Sequence, residues 1–171
     1  MAGAVKEVVM RIGIGYDIHP LATGHPLVLG GVTVPFDRGL EGWSDGDTLT
    51  HAVIDALLGA AALGDIGTHF PPGEAQYRGI RSLVLLGMVK EKLAEGHWKV
   101  VNIDATMIAE QPHLADFFAG MRQNLSATLD IPIGQVNIKA SSSNSLGVGI
   151  RGEGIAVHAV ALIEKDSLSQ V

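Results

Sequence analysis

Cysteine is absent from the chain, so neither a disulfide nor a thiolate metal site can form. Basic residues are also scarce: 12 Lys and Arg stand against 18 Asp and Glu, a formal charge of −6. A nucleic-acid binder needs a basic face to neutralise phosphates, and this balance argues against one. Any phosphate held here must instead be met locally, by metal ions or backbone N–H groups. No stretch approaches the roughly 18 unbroken apolar residues of a membrane helix. The opening "MAGAVKEVVM" carries Glu7 and lacks the apolar run of a secretory signal. These absences predict a cytoplasmic protein with no membrane and no nucleic-acid partner. Internal repeats, linkers and low-complexity tracts are missing too. The 171 residues therefore read as one domain, on a prior of about 100–200 residues per domain.

What is present is apolar and small. Hydrophobic residues make up 47% of the chain, and there are 22 glycines, so a core can form without staples and many turns are tight. "VVMRIGIGYDIH" and "HPLVLGGVTVP" read as strands, rich in Val and Ile and closed by Gly and Pro. "DTLTHAVIDALLGAAALGD" reads as a helix, because Val53, Ile54, Leu57, Leu58 and Ala61 recur at spacings of three and four. Ser44 or Asp45 is the expected cap. A second helix spans 79–95, ending at Gly96, and a third spans 113–130, closing before Pro132. "WKVVNIDATMIAE", "QVNIKAS" and "GIAVHAVALIEK" supply further strands. The sum is an α/β (α+β) single domain, one mixed β-sheet covered by helices. The closely spaced first two and last two strands are expected to be antiparallel neighbours.

Ionisable chemistry gathers in two places. In "GYDIHP", Asp17 and His19 are two residues apart on a strand end, so their side chains share one face. His51 lies near the start of the following helix. One carboxylate and two imidazoles make a three-ligand zinc set with a fourth position left for water or substrate. Against that stands the plainer reading: D-x-H is common, and a helical His is usually structural. The turn "SDGD" adds weight, since Asp45 or Asp47 could orient a ligating imidazole. Capping the first helical turn is an equally good use for Asp47.

Several blocks in fixed order then carry a resemblance. "RIGIGYDIHPL", "LGGVTVP", "SDGDTLTHAVIDALLGAAALGDIGTHFPP", "IAEQP", "VNIKAS" and "IRGEGIAVHAVALI" together resemble the 2-C-methyl-D-erythritol 2,4-cyclodiphosphate synthases, enzymes of the non-mevalonate route to isoprenoid precursors. The likeness runs from about Met10 to Lys165. Residues 1–9 read as an N-terminal extension, 10–165 as the synthase domain and 166–171 as a C-terminal tail. The resemblance implies a homotrimer with active sites between subunits. It also implies one Zn²⁺ per site, held by Asp17, His19 and His51, and a second ion, Mg²⁺ or Mn²⁺. The implied reaction converts 4-diphosphocytidyl-2-C-methyl-D-erythritol 2-phosphate into the cyclic diphosphate and releases CMP.

Further roles follow from the same resemblance. Asp17, Ile18, His19, Trp43 and Ser44 fall at substrate-binding positions, and Trp43 also falls at a catalytic one. Asp65, Ile66 and Gly67 hold the methylerythritol part, with Asp65 accepting from its hydroxyls. Phe70, Pro71, Pro72, Gly73 and Glu74 align with a mobile substrate loop. Ala109, Glu110, Gln111, Pro112, His113, Leu114 and Ala115 align with a cytidine pocket. Ser141, Ser142, Ser143, Asn144 and Val148 lie near the phosphates, with Ser142 at a position that stabilises the transition state. Arg151 and Glu153 fall where the family lines the trimer axis, a site that takes isoprenoid diphosphates. Without the resemblance, Asp65 reads as a helix-end turn residue, 109–115 as a strand-to-helix loop, and 141–144 as a serine-rich loop.

Three positions depart from the family. Trp43 stands where His is common; it offers a single N–H and carries no charge, so its expected uses are to donate to a phosphate or to shield the metal. Asn144 replaces a Glu that helps bind the second metal, which predicts weaker Mg²⁺ affinity. Ser145 replaces a Lys found in some members. Beside the synthase stand two alternatives: a zinc-bearing trimer that binds nucleotide or isoprenoid diphosphate with little turnover, and a zinc-dependent phosphohydrolase.

Overall fold

The computed structural model describes residues 9–142 and 153–165. A five-stranded sheet has the order β4-β1-β7-β5-β6, built from β1 (Met10–Ala22), β4 (Gly39–Leu40), β5 (Trp98–Ile108), β6 (Val136–Ser141) and β7 (Gly154–Lys165). It is mixed, as expected: β5 and β6 are parallel, while β7 runs antiparallel to both β1 and β5. The expected neighbours are not the observed ones. β7 enters between β1 and β5 rather than beside β6. Strand length explains this, because the 12 residues of β7 match the 13 of β1 and the 11 of β5, whereas β6 has only six. The link from β5 through a helix to β6 also leaves that pair parallel, as crossovers do.

The stretch 25–35, read as one strand, is instead a hairpin of β2 (Leu27–Leu29) and β3 (Val32–Val34) outside the main sheet. Its two-residue loop is Gly30-Gly31, both with positive φ (54° and 69°). That conformation fits the tight hairpin turns whose twist matches the flanking strands, and glycine adopts it without strain.

Helix α1 (Thr48–Ala61) lies across β1 and β7. Its closeness to β1 explains the run of small residues. A Cβ on Gly15 would sit 1.9 Å from the Ala52 carbonyl oxygen, and one on Gly13 would sit 2.0 Å from that of Ala56. Backbone meets backbone there, so any side chain would push the helix off the sheet. The cap of α1 is Asp47, whose carboxylate accepts from Thr50 N–H, rather than Ser44 or Asp45. The helix stops at Ala61 because Ala62 turns left-handed, with φ 60°. After the single turn α2 (Ile66–His69), helices α3 (Ser82–Glu95) and α4 (Phe118–Leu129) close the layer beside α1 and β6. The core lies between this layer and one face of the sheet. The opposite face stays open: Ile12 and Ile14 are each 72% exposed, with Tyr16 and Val160 beside them.

Candidate metal centre and its cleft

On β1, side chains alternate between the open face and α1, so Asp17 and His19 point toward the helix as Gly13 and Gly15 do. His51, in the first turn of α1, comes down to meet them. One oxygen of Asp17, Oδ2, lies 3.0 Å from His19 Nε2 and 3.0 Å from His51 Nδ1. One ligand atom from each residue falls within 4.8 Å of the others. Burial acts to raise the Asp17 pKa, but the two imidazoles outweigh it and hold the carboxyl at about 2. Burial acts to lower the His19 pKa, yet the bond and charge of Asp17 leave it raised.

The far side of each ring decides which nitrogen is free to ligate. His19 Nδ1 faces the carbonyl oxygen of Glu41. A carbonyl can only accept, so Nδ1 carries a proton, and Nε2 is the nitrogen turned to Asp17: it donates there while protonated and can ligate once that proton is given up. His51 Nε2 lies 2.8 Å from Ser82 Oγ and 2.9 Å from Ser44 Oγ. Ser82 Oγ donates its own hydrogen to Asp45 Oδ1, so it is left to accept from His51 Nε2–H. His51 Nδ1 is therefore the nitrogen turned to Asp17, a donor to it while protonated and a ligand once that proton leaves. Both rings are oriented as a metal ligand needs, each by a partner on its opposite nitrogen. The residues present fit a divalent ion such as zinc.

Two acids were candidates to orient the imidazole, and their roles separate. Asp45 orients His51 through Ser82 and also accepts from Ser82 N–H (3.0 Å), capping α3 from outside. Asp47 is fully buried and faces away from the imidazoles. Its carboxylate accepts from Gly30 N–H (2.8 Å), Gly31 N–H (2.8 Å), Thr50 N–H (3.0 Å) and Thr50 Oγ1–H (2.7 Å). Burial pushes its pKa up, against the pull of those donors.

The triad forms one end of a cleft of about 210 Å³. Trp43, Ser44, Ile66, Gly67, Phe70 and Pro72 line it. Tyr77 and Leu85 also line it and were not foreseen; their only sequence signal was apolar character near a loop and a helix start. Ile18 points to the other face of β1, as alternation requires. Pro71, Gly73 and Glu74 are outside the lining, though Glu74 offers its carbonyl oxygen to the indole N–H of Trp43 at 3.0 Å. Asp65 caps α2: its Oδ1 accepts from Thr68 N–H (2.8 Å) and Thr68 Oγ1–H (2.7 Å). Asp55 lies four residues after His51 on α1. Its carboxylate accepts from Ile66 N–H at 2.7 Å and so ties the 65–67 corner to α1. Nothing in the sequence separates Ser82 from an ordinary helix start.

A second pocket, of about 300 Å³, opens beyond the carboxyl ends of β5 and β6, the usual location of a ligand crevice in such sheets. Ala109, Glu110, Pro112, His113, Leu114, Ala115, Ser141 and Ser142 line it, joined by Phe118 and Ala140. Gln111 precedes Pro112 through a cis bond and lies outside this lining. The two pockets share no residue. Ser143, Asn144, Ser145, Val148 and Arg151 fall outside the described residues.

A mixed sheet under one helical layer, with an Asp-His-His triad at the edge of an apolar cleft, defines a metal-binding α/β enzyme. The chain belongs to the YgbB family, whose model matches residues 10–164. It is 53% identical over 156 residues to the 2-C-methyl-D-erythritol 2,4-cyclodiphosphate synthase of Dehalococcoides mccartyi, covering 91% of this chain and 99% of that one. Among solved structures, the bifunctional IspDF from Campylobacter jejuni matches with a TM-score of 0.90 at 36% identity, over 94% of this chain and 43% of that one. The CDP complex of IspF from Plasmodium falciparum matches with a TM-score of 0.80 at 29% identity, over 92% and 97% of the two chains.

Proposed function

We propose that the protein is a 2-C-methyl-D-erythritol 2,4-cyclodiphosphate synthase, closing 4-diphosphocytidyl-2-C-methyl-D-erythritol 2-phosphate on itself with loss of CMP. The observation that carries this reading is the triad: two imidazoles, each oriented by a partner on its far nitrogen, around one carboxylate, in a chain half identical to synthases along its length. The substrate's own 2-phosphate is the nucleophile. One of its oxygens forms a bond to the β-phosphorus, and the bond from that phosphorus to the CMP oxygen breaks, with the electron pair leaving on CMP. A phosphate monoester is already anionic near neutral pH, since its second pKa is about 6, so no side chain must remove a proton.

The work left to the chain is positioning and charge neutralisation. Asp17, His19 and His51 would hold Zn²⁺, which when bound supplies Lewis-acid charge to the phosphates. Ser44 and Ser142 are the proposed hydroxyl donors toward the phosphates. Ile66, Gly67, Phe70 and Leu85 exclude water around the carbon skeleton. The pocket of residues 109–115 takes the cytidine, a reading supported by the CDP-bound relative. A second ion, Mg²⁺ or Mn²⁺, near Asn144 belongs to the same proposal.

Homotrimerisation belongs to it as well. Two observations support it: the triad cleft and the 109–115 pocket share no residue, and the open sheet face exposes a strip of Ile12, Ile14, Tyr16 and Val160 that a neighbour could cover. Phosphorus NMR tests the reaction on purified protein with substrate, Zn²⁺ and Mg²⁺. Cyclic diphosphate plus CMP is expected; linear products would mean hydrolysis, and unchanged substrate a binding protein. Light scattering tests the trimer.

A further inference from the structure

Trp43 lines the cleft that the metal-ligand triad also lines, and three of its groups are engaged by residues 74–79. Its indole N–H donates to the Glu74 carbonyl oxygen at 3.0 Å. Its own carbonyl oxygen accepts from Gly79 N–H at 2.8 Å. The Arg78 guanidinium lies over its ring, 5.8 Å from the centroid. Two residues on, Asp45 N–H donates to Ile80 C=O at 3.1 Å, and Asp45 also holds Ser82, the partner of His51. Residues 43–45 therefore form one strip. At its Asp45 end it orients a metal ligand, and at its Trp43 end it grips the 74–79 segment, from which Tyr77 projects into the cleft.

We propose that Trp43 is a positioning residue that clasps residues 74–79 against the metal-ligand triad, so that this segment is a fixed wall for the polyol-phosphate part of the substrate. Its side chain's only donor is spent on the chain itself. That makes Trp43 a part of the cleft's shape and not a donor to the reacting phosphates. A histidine at this place could not reproduce the clasp in full, because it offers less ring face to a guanidinium. The consequence for turnover rests on the synthase reading; the clasp itself does not.

Amide hydrogen exchange on the metal-loaded protein, without substrate, tests the clasp directly. Trp43→Phe keeps a ring under Arg78 and removes the N–H. Exchange across 74–78 is expected to rise about fivefold, the effect of one lost hydrogen bond of about 1 kcal/mol, with α1 protection and zinc content unchanged. Arg78→Ala, on an exposed side chain, is expected to give a smaller rise in the same peptides. Unchanged exchange in both variants overturns the proposal. In steady-state kinetics of Trp43→Phe, KM should rise by a similar factor while kcat and its pH profile hold. A fall in kcat with unchanged KM, or a shifted pH profile, would make Trp43 a participant in the chemistry and also overturn it. Wild-type protein that forms no cyclic diphosphate while the exchange results stand would count against the synthase reading and leave the clasp intact.

Discussion

Asp17 and Asp47 are the same side chain put to opposite uses a few ångströms into one fold. Asp47 is fully buried and meets four donors, three of them backbone N–H groups and one a hydroxyl, none of which can leave. Asp17 is about a quarter exposed and presents one oxygen to two imidazole nitrogens, each of which can exchange its proton for a cation. Burial dominates at Asp47 and raises its pKa, whereas the imidazoles prevail at Asp17 and hold it near 2. A carboxylate saturated by fixed donors joins pieces of chain: Asp47 ties the Gly30-Gly31 hairpin to the start of α1. A carboxylate surrounded by groups that also bind cations is a site. Acid content alone does not mark a functional centre; the character of the partners does.

Breaking the first of the two should have the largest effect. Asp47→Ala leaves the hairpin and helix-cap donors without an acceptor, and we expect a loss of about 3 kcal/mol or more of stability, read as a lower urea midpoint. The folded fraction should still bind zinc, which is the contrast with the centre. His51→Ala should do the reverse. Bound zinc disappears from metal analysis after gel filtration, while the urea midpoint of the metal-free protein moves far less than in Asp47→Ala. Full zinc content in that variant would remove His51 from the ligand set. Ser82→Ala sharpens the comparison, since it touches neither Asp17 nor Asp47: it removes the hydroxyl between His51 and Asp45 and leaves His51 Nε2 with Ser44 alone. Zinc affinity should weaken by about 10-fold to 100-fold, and Ser82→Thr, which keeps the hydroxyl, should recover most of it. The smallest effect is at the other end of α1. Ala62 occupies a left-handed position that glycine adopts without strain. Ala62→Gly should raise stability by about 0.5–1 kcal/mol, a Tm increase of roughly 1–4 °C, with no change in zinc content.

Much of this was legible in the chain. The alternation of β1 put Asp17 and His19 on one face, and the 3.6-residue period brought out α1. Collinear blocks identified the family. Other features were not legible, for separable reasons. Whether Asp45 or Asp47 orients His51 depends on Ser82, which is 31 residues from His51 in sequence and looks like any helix start. The order of the strands depended on which lengths could pair, and adjacency in sequence misled there. Trp43 read as a missing histidine, because nothing local reveals that its N–H is spoken for by Glu74.

By itself, then, the sequence determined the residue types and their periodicities. It specified a cysteine-free acidic domain, a small-residue helix, and a D-x-H pair with a helical histidine to complete it, because side-chain direction in a strand or helix follows from local backbone geometry. Only the tertiary structure decided what each polar group spends its hydrogen bonds on. Those partners come from distant segments, brought together when α1 settles on β1 and the 74–82 strip closes beside it. The orientation of the His51 ring and a committed N–H on Trp43 are properties of that assembly, not of either residue.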